Sequence, residues 1–170
     1  MRYMIFVVLL FFGCANHQQQ IKSDLYLTDD TKIKVGTVWF KDTKKGLLVE
    51  VNLKNLPQGN HGFHVHENPD CLSEKNEYGK IEYASRAGGH FDPFKTGKHL
   101  GPNGGGHLGD LPYLTVNAEG KVNRKFYLKN NEAKSVKNHS LMLHLGGDNY
   151  KDTPFPLGGG GLRIACGIIQ

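Results

Sequence analysis

Apolar positions along this chain come in short runs, and no segment carries the period of a long amphipathic helix. Residues 47–53 read Leu-Leu-Val-Glu-Val-Asn-Leu, alternating apolar and polar in the second half. A strand with one buried face alternates in this way, because successive side chains leave opposite sides of the sheet. Residues 25–28 and 35–40 are β-rich and are parted by the turn-like Thr28-Asp29-Asp30-Thr31. Further strands are predicted over residues 61–66, 114–116, 122–128, 140–145 and 162–169, with 114–116 and 122–128 flanking Ala118-Glu119-Gly120-Lys121 as a hairpin. The pattern predicts an all-β domain, a Greek-key barrel or sandwich of about eight antiparallel strands. Two long Gly/Pro-rich loops interrupt it, residues 70–110 and 148–161. A loop as long as the first, with no regular element, is unusual in a compact domain. Something besides a hydrogen-bond ladder is expected to hold it.

At 170 residues the chain is long enough for one domain with a proper core. Its start has a different character. Arg2 and Tyr3 precede an unbroken apolar run over residues 4–12, too short to cross a bilayer and suited to the core of a signal peptide. Gly13-Cys14 follows and is similar to a bacterial lipoprotein box, although Phe11 occupies the usual leucine position. Lipidation of Cys14 is the favoured reading, and ordinary cleavage after Ala15 is the alternative. Both put the mature protein outside the cytoplasm. The expected layout is a signal peptide over 1–14, a polar tether over 15–24 and the folded domain over 25–170. With Cys14 lipidated or removed, Cys71 and Cys166 are left as an even pair. An oxidising compartment can bridge them, and the alternative is two buried thiols. The formal net charge of +5 is spread over scattered lysines with no basic run interleaved with aromatics. That argues against a nucleic-acid partner, while a mild positive field can draw in a small anion.

The chemistry concentrates in residues 90–110. There His90, His99, His107 and Asp110 lie within a Gly- and Pro-rich stretch. Three imidazoles and a carboxylate make a closed tetrahedral set for Zn²⁺; a surface loop merely rich in histidine is the plain alternative. His64 and His66 are two apart on a predicted strand, so they share a face while Val65 points into the core. His144, between Leu143 and Leu145, would alone pass for a satisfied core histidine. With His64, His66 and one loop histidine it completes an all-nitrogen set that suits Cu(II). His90 is available to both sets, and spacing does not say whether they share it. His61 and His139 are expected to make structural hydrogen bonds, and Trp39 to pack in a core or interface.

Several motifs occur in order over roughly residues 35–169. They are Gly62-Phe63-His64-Val65-His66, Gly88-Gly89-His90-Phe91-Asp92-Pro93, His107-Leu108-Gly109-Asp110, His144 with Gly146-Gly147-Asp148-Asn149, and the stretch over 158–167 that contains Arg163 and Cys166. Together they resemble a copper/zinc superoxide dismutase of the bacterial exported type. The resemblance implies dismutation of superoxide to oxygen and hydrogen peroxide by alternate reduction and oxidation of copper. It implies copper on His64, His66, His90 and His144, and zinc on His90, His99, His107 and Asp110. His90 would bridge the two metals and carry a proton. Asp148 would orient one ligand of each metal, Arg163 would dock the superoxide anion, and Cys71 and Cys166 would form the family disulfide. Localisation would be periplasmic, with a membrane contact only through a lipid on Cys14, and the state a monomer or homodimer.

Two other readings are open to the residues. A copper carrier on the same fold would tend to lack the bridging histidine, the arginine or part of the copper set, all of which are present here. A zinc hydrolase needs an open metal position and a nearby base, which a closed set of three histidines and an aspartate does not supply.

Overall fold

The computed structural model describes residues 20–29 and 31–170. The signal-like segment, Cys14 and Ala15 lie outside them. The described residues form eleven strands, in chain order β1 (Gln20–Leu27), β2 (Lys34–Thr43), β3 (Gly46–Leu53), β4 (Gly59–His61), β5 (Phe63–His66), β6 (Glu74–Lys75), β7 (Ile81–Glu82), β8 (Leu114–Val116), β9 (Val122–Leu128), β10 (Ser140–His144) and β11 (Arg163–Ile168). Seven make one antiparallel sheet in the order β5-β10-β11-β1-β2-β3-β9, and β4 pairs with β8. Only Gly62 separates β4 from β5, so the chain passes from the small sheet into the large one there. Counting those two as one strand, and setting the β6–β7 hairpin apart, leaves the expected eight.

Alternation builds the core. In β3, Leu47, Val49, Val51 and Leu53 are buried, while Leu48, Glu50 and Asn52 face outward. Val38 and Phe40 of β2, Phe63 and Val65 of β5, and Leu141 and Leu143 of β10 join them in one cluster. Burying a side chain of this size contributes roughly 1.5–3 kcal/mol, so the cluster dominates the stability of the sheet.

Four expectations change. The sheet begins at Gln20, not 25: Ile21, Ser23 and Leu25 point inward while Gln20, Lys22 and Asp24 alternate with them. The stretch expected as tether thus supplies half of β1. Residues 114–116 and 122–128 do not pair with each other. The turn between them closes with Asn117 N–H donating to Lys121 O at 2.9 Å, but β8 pairs with β4 and β9 with β3. The long loop contains the β6–β7 hairpin and a 3-10 turn, Ser85–Ala87. Trp39 is no core residue: between inward Val38 and Phe40 it faces out, 38% exposed, with Lys22 Nζ 5.6 Å from its ring centre.

Candidate metal centre

The alternation that fills the core also aims the imidazoles. In β5, Phe63 and Val65 enter the core, so His64 and His66 leave by the other face. In β10, Leu141 and Leu143 do the same, so Met142 and His144 share that outer face. The strands are adjacent, with Met142 opposite His64 and Ser140 opposite His66. Between Leu143 and His144 the β10–β11 register slips, so that His144 sits opposite Arg163. A bulge re-aims a side chain in this way, and here it sets the last histidine beside the arginine.

The 70–110 loop lies along the free edge of β5. Phe91 N–H donates to Val65 O at 2.9 Å, Val65 N–H to Gly109 O at 2.9 Å, and Gly109 N–H to Phe91 O at 2.8 Å. These bonds put His90 next to His66 and Asp110 next to His64, as isolated bridges. So backbone pairing does help hold the loop, although it forms no long ladder. Gly109 is required for the approach, since a Cβ there would lie 2.2 Å from Val65 O. The base of the loop is tied by the Cys71–Cys166 disulfide.

Two donor sets result. His64, His66, His90 and His144 each offer a nitrogen within 4.8 Å of the others, and His90, His99, His107 and Asp110 do the same. His90 belongs to both. Its Nδ1 lies 3.0 Å from Asp110 Oδ1, while its ring stacks on His64 with centroids 3.9 Å apart.

The donor atoms fit cations. In the first set the far nitrogen of each strand histidine is held. His64 Nε2 donates to Asp148 Oδ2 at 2.9 Å, His66 Nδ1 to Gly88 O at 3.0 Å and His144 Nδ1 to Gly161 O at 3.1 Å. Carbonyl and carboxylate oxygens only accept, so each far nitrogen carries its hydrogen and the inner one presents a lone pair. His66 Nε2 and His144 Nε2 are 3.4 Å apart. His64 Nδ1 is buried and has no hydrogen-bond partner. In the second set, Asp110 Oδ1 lies 3.0 Å from His90 Nδ1, 3.0 Å from His99 Nδ1 and 3.4 Å from His107 Nδ1. Bonds of about 2.0 Å to a tetrahedral Zn²⁺ imply donor–donor edges of about 3.3 Å. His99 Nδ1 and His107 Nδ1 are buried without hydrogen-bond geometry despite that closeness. Lone pairs that converge on a point between atoms suit a cation better than a proton.

Asp148 joins the sets. Its side chain is fully buried, and its second oxygen, Oδ1, accepts from His99 Nε2 at 2.7 Å. A Cβ on Gly158, which has φ +72°, would fall 2.0 Å from that oxygen. Arg163 is held as well: Nη1 donates to Ala84 O at 2.6 Å and Nη2 to Gly88 O at 2.7 Å. It lines an open groove of about 380 Å³ with Lys80, Glu82 and Gly161.

Burial pushes His66 well below its usual range and lowers His64 against the pull of Asp148. Burial also takes His90 down to about 4 and His144 to about 3. The four-nitrogen set is therefore neutral near pH 7, with its lone pairs free. His99 goes the other way, to about 9, because Asp110 and Asp148 outweigh its burial, so a cation in the second set would replace a proton on its Nδ1. Burial raises both carboxyls, but their histidine partners hold them well below the usual range.

Of the predicted site residues that the structure describes, the six histidines, Asp110 and Asp148 come together here, Arg163 lies at the rim, and Cys71 and Cys166 form the disulfide at the base of the loop. His61 and His139 do not join the sets. His61 contacts the carbonyls of His144 and Pro57 at 2.8 and 2.9 Å, and His139 that of Glu67 at 2.7 Å. Sequence reasoning missed the anchoring carbonyls of Gly88 and Gly161 and the carboxylate of Asp152. Backbone acceptors carry no residue signal, and Asp152 lies 53 residues along the chain from His99, from whose backbone N–H it accepts.

Comparison with known proteins agrees with this geometry. Residues 34–169 match the family model for copper/zinc superoxide dismutase. A superoxide dismutase [Cu-Zn] of Brucella abortus is 47% identical over 167 residues, covering 96% of this chain and 95% of that protein. One of Escherichia coli is 41% identical, covering 98% and 96%. The solved Brucella abortus copper/zinc enzyme superposes with TM-score 0.84 at 47% identity, covering 89% of this chain and all of that one.

Proposed function

The chain belongs to the copper/zinc superoxide dismutase family, oxidoreductases that use copper and zinc to dismute superoxide to oxygen and hydrogen peroxide, and from that premise we propose how its own residues divide the work. His64, His66, His90 and His144 would hold copper, and His90, His99, His107 and Asp110 would hold zinc. The carrying observation is that His90 belongs to both donor sets.

When bound, copper would supply the one-electron chemistry and zinc a fixed positive charge. The chain supplies geometry, charge and protons. Arg163 docks the superoxide anion: its guanidinium is permanently charged and is kept in orientation by the Ala84 and Gly88 carbonyls. His90 Nε2 would carry one of the two protons needed to convert superoxide to hydrogen peroxide, with solvent supplying the other. Its Nδ1 stays engaged with the second set, so the ring keeps its place as the proton comes and goes. Asp148 fixes the tautomers of His64 and His99 together. The Cys71–Cys166 disulfide and the bacterial relatives support a periplasmic protein. We assign Cys14 as its lipid-bearing residue, with cleavage after Ala15 as the alternative; a mass spectrum of the mature N-terminus separates them.

The experiment is metal content alongside superoxide consumption. Protein loaded with both metals consumes superoxide rapidly, and His144→Ala abolishes this while zinc stays bound. Unchanged turnover in His144→Ala refutes the copper assignment.

A further inference from the structure

Asp152 belongs to neither donor set, yet one of its oxygens reaches a ligand's backbone. Asp152 Oδ2 accepts from the main-chain N–H of His99 at 3.0 Å. The two N–H groups that follow, of Leu100 and Gly101, both donate to Asp110 Oδ2 at 3.2 Å. Three successive donors of the loop thus hang on two carboxylates, one of which is in the cage itself. His99 is fully buried and is held twice by the same short segment. Asp148 takes its ring at 2.7 Å and Asp152 its backbone.

The segment grips a third time between those two residues. The ring of Tyr150 packs so closely on Gly101 that a Cβ there would lie 2.6 Å from Tyr150 Cγ, and its hydroxyl accepts from Tyr113 N–H at 3.1 Å. Asp148, Tyr150 and Asp152 alternate in sequence with Asn149 and Lys151; Asp148 and Tyr150 are partly buried and the other three exposed. The side chain of Asn149 bonds only within the segment, donating to Thr153 O and accepting from Lys151 N–H.

We propose that Asp152 is a positioning residue for the zinc site: its hydrogen bond to the His99 backbone sets how long zinc is retained. An imidazole bonds a metal only along its lone pair, and two anchor points, ring and backbone, fix both the direction and the depth of that lone pair. Removing a partner of a metal ligand typically costs 10–100-fold in affinity. Asp152 faces solvent on its outer side, where water can partly replace it, so the low end applies.

This inference rests on the zinc assignment above, and the test separates the two. Zinc release from the fully loaded protein is timed with a colorimetric chelator for wild type, Asp152→Ala, Asp152→Asn and Asn149→Ala. The visible spectrum of each is recorded with cobalt in the zinc site. Asp152→Ala releases zinc about tenfold faster and shifts the cobalt bands. Asp152→Asn, which keeps an acceptor oxygen, stays near wild type, as does Asn149→Ala. Equal release from Asp152→Ala and wild type overturns the inference. So does Asp152→Asn releasing as fast as Asp152→Ala, or Asn149→Ala matching it, which would make the effect one of charge or of general loosening. Wild type that holds no zinc overturns the zinc assignment instead.

Discussion

Replacing Cys71 and Cys166 together by alanine isolates what the disulfide does. The bond joins residues 95 apart in sequence, so it removes a large share of the freedom of the unfolded chain. The chain-entropy model gives about 4–5 kcal/mol for such a loop. Cys166 is buried with Ala84, Ala87 and Met142, and losing its sulfur from that cluster adds about 1 kcal/mol. Unfolding should be followed in metal-free protein, because bound metals stabilise the native state by mass action and hide the difference. With a urea slope of about 2 kcal/mol/M, the midpoint falls by roughly 2.5–3 M. The slope itself rises, since the unbridged chain expands further on unfolding. Wild type held under strong reductant falls by nearly as much. A midpoint shift below about 0.5 M in the double variant would show that the bridge constrains little, and that backbone bonds to β5 and the Arg163 contacts already hold the loop.

Other substitutions probe the rim and the outer sheet. Arg163→Ala removes the fixed positive charge beside the four-histidine set, so kcat/KM drops about tenfold and its dependence on ionic strength flattens; an unaltered salt slope would exclude steering by this residue. Asp24 on β1 accepts from Thr37 Oγ1 at 2.6 Å and pairs with Lys34 at 2.9 Å, and Thr37 and then Lys34 hold its carboxyl down to about 2. A depressed folded-state pKa means stabilisation that is complete above 3.8 and fades as pH falls toward 2. Asp24→Asn therefore loses less than about 1 kcal/mol at pH 7, the range for exposed pairs, and the gap narrows below pH 3.8; a gap that widens in acid would contradict this sign.

Parity explains which parts of the fold could be read in advance. In β3 and β5 the apolar residues are large and every second one is inward, so strand and facing are visible in the letters. β1 hides its first half because an inward position holds Ser23, which is buried against Gly167 and gives no apolar signal. Of the two places expected for Trp39, core or interface, its position between inward Val38 and Phe40 excludes the core. The 118–121 turn is real, but its flanking strands diverge into different sheets, a tertiary choice that turn chemistry does not record. The six histidines and two aspartates of the centre were legible as residues. That His90 belongs to both sets came only from the family resemblance and not from spacing, because it depends on where the 70–110 loop docks on β5.

That docking couples the site to strand register. His64 and His66 face the metal sets only while Phe63 and Val65 face the core, and β10 repeats the rule with Leu141, Leu143 and His144. A slip of one residue would reverse every side chain of a strand. It would thrust imidazoles into the core and present Phe63 and Val65 to the loop. The apolar face therefore specifies the direction of three of the four nitrogens of the all-histidine set without any metal. The fourth, from His90, arrives only when the loop pairs with the edge of β5. The strand histidines belong to the folding of the sheet and the shared imidazole to the closing of the loop, which is where metal binding and loop order become one event.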